Sequence, residues 1–233
     1  HGIQLGRLPL GNIMEFLSIL ALALLMIYLV VERRYRVMNT GFVVLGLALM
    51  FQFLSSAFMS SARDVARPLL ENSGYMLHAL LVLFAYTALS LAFLYSLLYV
   101  LQSRELSRRS FGLLYRRLPS LDLLERMSVG AVKLGVPLLL AALVAGHLWM
   151  RALAGDLDPA QASELSSLDA KVVGAWATLA IYCGGLIGHR FLGWRGRRMS
   201  TIAILTFLVV VLSTGLMHHF APSFHNFSLG VLQ

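Results

Sequence analysis

Charge is scarce in this chain: Asp, Glu, Lys and Arg make up only 13% of its 233 residues. Cysteine is scarcer still, with Cys183 alone. A single thiol excludes a disulfide within the chain and any cysteine-based zinc or iron–sulfur site. A Gly-rich phosphate loop, a His-Glu-x-x-His zinc motif and a Ser/His/Asp arrangement are also missing, so no catalytic residue is named. Internal repeats and low-complexity stretches are absent too. What the chain has in plenty is apolar surface. It is 58% hydrophobic with a mean hydropathy of +0.77, a composition that belongs to the membrane.

The net charge is +8 and the isoelectric point near 10.1. No basic run is interleaved with the stacking aromatics of a single-strand binder, and membrane proteins gather basic residues on one side in any case. Membrane lipid is therefore an expected partner and nucleic acid is not. The first residue is His1 rather than Met, so the N-terminus is processed or earlier sequence precedes it, and no signal-peptide pattern stands before the first span.

Six apolar segments approach the ~20 residues that cross ~30 Å of hydrocarbon. They lie near 14–31, 40–60, 75–102, 128–150, 172–192 and 200–220. Lipid offers no partner to an open backbone, so each must be helical. The expected fold is all-α, a polytopic bundle of about six transmembrane helices forming one domain over 1–233. Three connectors hold 13 of the 19 Lys and Arg residues: 32–36, 103–126 and 190–198. By the positive-inside rule these face the cytoplasm and both termini lie outside. Leucines among arginines mark 103–126 as a cytoplasmic amphipathic connector, interrupted at Pro119. Ala88, Ala92 and Ser96 give the third span a seam of small residues for close helix packing.

That topology sorts the histidines. His1, His78, His147, His218, His219 and His225 fall at outer helix ends, whereas His189 lies near the inner end of the fifth span. Imidazole is the usual axial ligand of protein-held haem and a common metal ligand. His78, one turn into the third span, and His225, just past the sixth, could close on a flat macrocycle from opposite faces. Its propionates would meet Arg63, Arg67 or Arg151. The competing reading makes each histidine a helix cap or a partner of a backbone carbonyl. For His147 with His218 or His219, a second haem or metal site competes with structural roles, and adjacent His218 and His219 point about 100° apart. His189 either receives haem from the inner leaflet or snorkels to the interface.

Four stretches carry a family resemblance. They are Gly6-Arg7-Leu8-Pro9-Leu10-Gly11-Asn12-Ile13-Met14-Glu15; Gly74-Tyr75-Met76-Leu77-His78 with Ala85-Tyr86; Ser167-Leu168-Asp169-Ala170-Lys171 with Trp176, Tyr182, His189-Arg190 and Gly193 to Arg198; and Ser223-Phe224-His225-Asn226-Phe227. In order and topology they resemble the CcsA, CcmC and HemX group of cytochrome c assembly proteins, over nearly the whole chain. The resemblance implies a haem-handling protein of the bacterial inner membrane, with haem b as cofactor and His78 and His225 as axial ligands of its iron. His189 would be associated with haem passage, Asp169 and Trp176 with the cofactor site, and a cytochrome c or assembly partner, or other membrane subunits, with the outer face.

Where the group reads Trp-Ser-Trp-Asp-Pro-Lys, this chain has Ser166-Ser167-Leu168-Asp169-Ala170-Lys171, without either tryptophan. Arg7 stands in place of a histidine of the group. A second reading follows: a membrane-anchoring subunit of a respiratory electron-transfer complex, bearing haem b or lacking it, or a haem-free regulatory or scaffold relative.

Overall fold

The structure, a computed structural model, describes residues 13–36, 40–58, 72–109, 112, 117–155 and 170–220; within these, no side-chain placement is taken for 13, 153–155, 170, 171 and 212–220. Six helices follow one another: α1 (Ile13–Tyr35), α2 (Gly41–Phe58), α3 (Ser73–Ser107), α4 (Leu121–Gly155), α5 (Ala170–Phe191) and α6 (Arg197–Phe220). Among the described residues, α1 to α5 are long and apolar enough to cross a membrane, and α6 has 24 residues. The chain is a multi-pass helical membrane protein, as its composition requires.

α3 is the central helix, touching α1, α4 and α6; α2 leans on α1, and α5 on α4 and α6. Leu83, Ala85, Leu89, Leu91, Ala92 and Tyr95 of α3 are essentially inaccessible. The large exposed side chains lie mostly along the spans, Leu49 and Phe53 of α2 and Phe191 of α5 among them, where hydrocarbon rather than water receives them.

The expected small-residue seam lies in the most extensive helix pair of the fold, α3 against α4. Ala88, Ala92 and Ser96 are all fully buried. The Ser128 hydroxyl donates to the Ala92 carbonyl at 3.0 Å, which leaves Ser96 to donate to the Ser128 oxygen at 2.8 Å. One end further on, Gly135 of α4 lies against Leu89, so close that a Cβ there would stand 2.8 Å from the leucine. Small residues let the two backbones approach, and the hydroxyls add interhelical bonds worth ~0.6 kcal/mol each on average in a membrane. The antiparallel register begun at Ser96–Ser128 runs through Leu89–Gly135 to His78–Gly146 and Tyr75–Trp149. The seam therefore sets where His78 lies.

α3 and α4 each have 35 residues, about two and about three turns more than the apolar segments read at 75–102 and 128–150. Residues 103–107 are the last turns of α3, and 121–126 the first turns of α4. The middle of the 103–126 connector, residues 110, 111 and 113–116, lies outside the described residues. Pro119 stands just ahead of α4, whose first turn is capped by the Ser120 carbonyl accepting from the Leu123 and Leu124 amides.

Candidate functional site

The arginine-poor end of α3 begins at Asn72, whose side-chain oxygen accepts from the Gly74 and Tyr75 amides at 2.9 and 3.1 Å. That cap satisfies two of the amides that a helix start leaves open. It fixes the first turn, and His78 follows one turn later. The His78 Nδ1 lies 2.8 Å from the Ala142 carbonyl oxygen of α4. A carbonyl only accepts, so Nδ1 carries the proton and donates, leaving the Nε2 lone pair as the ring's remaining site. Metal-bound histidines characteristically donate their second nitrogen in this way, which fixes the tautomer and the ring plane.

Space for the ring comes from Gly146. A Cβ built there would stand 2.7 Å from His78 Nδ1 and 2.8 Å from Cε1, inside van der Waals contact. The next layer outward is aromatic: Tyr75 and Trp149 are tilted against each other with centroids 5.5 Å apart, and Gly74 makes room for the indole.

His147 is set up in a related way. Its Nδ1 donates to the Leu143 carbonyl at 2.8 Å, one turn back on its own helix. Trp176 of α5, 41% exposed, meets the His147 ring edge-on at 5.9 Å between centroids. Trp176 therefore pairs with His147 rather than with His78. His225, Asp169 and His1 lie outside the described residues, as do Arg63 and Arg67. For His218 and His219 only the α6 backbone is described. Among the described residues no three His, Cys, Asp or Glu side chains converge as a metal-ion site. A haem asks for less, one or two imidazoles, and the tautomers of His78 and His147 both fit that demand.

At the arginine-rich end His189 is held differently. Its Nδ1 donates to the Trp194 carbonyl at 3.0 Å, and Arg195 donates to Nε2 at 2.9 Å. Both ring nitrogens are thus occupied, and Nε2 is capped by a cation. The turn that allows this uses Gly193 and Gly196 in left-handed backbone, φ +66° and +54°, with the Leu192 and Trp194 amides both donating to the Gly188 carbonyl. The Trp194 indole folds onto Gly188, where no Cβ would fit.

His189 and Arg195 open onto a cleft of about 670 Å3 shared with Arg34, Glu125, Arg126 and Lys133. Lys133 was not singled out from the sequence, although the signal was there. It is the lone cation within the 128–150 segment, and an ionisable residue inside a span is costly enough to ask for a reason. Gly146 escaped notice as well, because nothing in a lone helical glycine says which ring it faces.

A family model described as "Cytochrome C assembly protein" matches residues 10–221. The chain belongs to the cytochrome c assembly protein family. Among its relatives, Protein HemX of Brevibacillus brevis is 33% identical over 173 residues, covering 74% of this chain and 58% of that protein. Protein HemX of Bacillus subtilis (strain 168) is 26% identical over 96% of this chain and 78% of its own length. The cytochrome c biogenesis protein CcsA of Mesostigma viride is 23% identical over 87% of this chain and 71% of its own. This member of the family thus spans less than two thirds of the Brevibacillus protein. No solved structure matches the chain. The resemblance read from the four sequence stretches is the family the chain belongs to.

Proposed function

We propose that this chain handles haem for cytochrome c maturation, holding haem b near the outer face of a bacterial cytoplasmic membrane between His78 and His225. Family membership and relatives named for cytochrome c biogenesis support the process. The observation that carries the residue assignment is the 2.8 Å bond from His78 Nδ1 to the Ala142 carbonyl, which prepares Nε2 as a ligand. When bound, haem would supply an iron that accepts the two imidazoles and can change oxidation state.

The chain's own residues do the positioning. Ala142 orients the His78 ring and Gly146 leaves it room, while Trp176 and Asp169 belong to the surroundings of the cofactor. His189 serves passage from the inner leaflet, which requires Arg195 to leave its Nε2. The outer face then meets a cytochrome c, an assembly partner or other membrane subunits.

The test is haem transfer. Protein purified with haem is mixed with an apocytochrome c and a reductant, and covalent haem on the cytochrome is followed on denaturing gels. Passage of haem to the cytochrome, alone or with the cell's assembly partners restored, supports the proposal. Haem that stays on this chain in both cases contradicts it. Retained haem would favour a haem b-bearing anchor subunit, the reading that the absence of tryptophan at positions 166 and 168 supports.

A further inference from the structure

A second, smaller cavity lies at the arginine-rich end, away from His189. It measures about 140 Å3 and is lined by Val100, Ser103, Arg104, Ser107, Arg108 and Arg197. Three arginines line it, and among the described residues no carboxylate does. Arg104 lies in the last turn of α3 and Arg108, four residues on, is its C-terminal cap, so the two stand close together on one side, a placement that costs a helix end a few tenths of a kcal/mol when no anion intervenes. Arg197 comes from the first turn of α6, distant in sequence. Among the described residues none of the three makes an ion pair with a carboxylate; the pair at this end joins Arg126 to Asp122 instead.

The positive-inside rule accounts for arginines being on this side. It does not account for three of them meeting in one cavity from two helices. Guanidinium groups suit phosphate because their fork of donors matches its oxygens. The cavity is below the ~300–1,000 Å3 of sites that enclose drug-sized ligands, which leaves room for a phosphate group and not for a nucleotide or a tetrapyrrole. Its level also fits. From Tyr75 to Arg104 the helix rises ~43 Å at 1.5 Å per residue, and a bilayer with its headgroups is ~40–45 Å thick.

We infer that the Arg104–Arg108–Arg197 cavity binds the phosphate of an anionic phospholipid headgroup from the cytoplasmic leaflet. Basic pockets between transmembrane helices on that side are a recurrent form of lipid recognition. The lipid bridges the end of α3 to the start of α6 and relieves the repulsion among the three arginines. This site stands apart from the haem reading and does not depend on it.

The experiment is native mass spectrometry of the full chain in detergent, with phosphatidylglycerol, phosphatidylcholine or inorganic phosphate added, alongside thermal unfolding under the same conditions. The expected result is one phosphatidylglycerol retained and a raised midpoint, with about fivefold weaker retention for each arginine removed in Arg104→Gln, Arg108→Gln and Arg197→Gln. Arg109→Gln, beside the cavity but not lining it, should retain lipid as the unaltered protein does. Because Arg197 is on a different helix from the other two, a folding defect in one variant leaves the others informative. Three results would overturn the inference. One is equal loss in Arg109→Gln, which signals charge alone. Another is equal retention of phosphatidylcholine. The last is full stabilisation by inorganic phosphate without lipid, which assigns the cavity to a soluble anion.

Discussion

His78 and Gly146 face each other across the α3–α4 seam, so closely that the imidazole occupies the place a side chain at position 146 would take. The ring cannot retreat without giving up the Ala142 carbonyl. Gly146→Ala therefore forces either the helices apart or the ring off its acceptor. Overpacking of this kind costs roughly 1–3 kcal/mol. The expected outcome is a lower unfolding midpoint together with a fall in the haem-to-protein ratio. Gly174→Ala, at a position with open space around it, should change neither.

Ser128 joins two turns of α3 through Ser96 and the Ala92 carbonyl. Ser128→Ala leaves the buried Ser96 hydroxyl without its cross-helix partner. The expected loss is about 1 kcal/mol, between the ~0.6 average and the ~1.7 maximum for such bonds in membranes. Denaturant unfolding of the reconstituted protein measures it, and Ser107→Ala, at an exposed hydroxyl, gives the comparison.

Arg195 shields His189 Nε2. In Arg195→Ala that nitrogen should become open to diethyl pyrocarbonate, and peptide mapping should show several-fold faster modification of His189, with His78 unchanged. Equal rates in both proteins would mean that the guanidinium does not cover the ring in solution.

The arginine-rich end should face the cytoplasm. In a Cys183→Ala background, a membrane-impermeant maleimide should label Arg151→Cys on intact cells. Arg104→Cys should react only after permeabilisation. The reverse pattern would invert the topology.

Much of this architecture was legible in the sequence, because lipid permits a single-chain span of this composition to be little other than helix. The packing seam was legible for the same kind of reason: Ala88, Ala92 and Ser96 have too little bulk to hold two helices apart. Helix ends were less so. α3 and α4 run on past their apolar stretches into the polar stretches 103–107 and 121–127, where hydropathy no longer marks a stop. The pairing of Trp176 with His147 depends on how α4 and α5 are rotated, which spacing along one helix does not report. The Arg195 cap depends on a turn built from two glycines at positive φ, so it could not be read from the neighbouring letters His189-Arg190. Lys133 was legible in principle, as a charge inside a span, and its cleft supplies the context that the letters lack.

The central claim is that His78 ligates haem through Nε2, and an absorption spectrum tests it most directly. A reduced-minus-oxidised spectrum and a pyridine haemochrome assay would be recorded on detergent-purified protein, His78→Ala, His225→Ala and His147→Ala. Stoichiometric b-type haem with a bis-imidazole spectrum is expected in the unaltered protein and in His147→Ala, and its loss in the other two. An unchanged spectrum in His78→Ala, or no haem in the unaltered protein under haem-replete expression, would contradict the assignment.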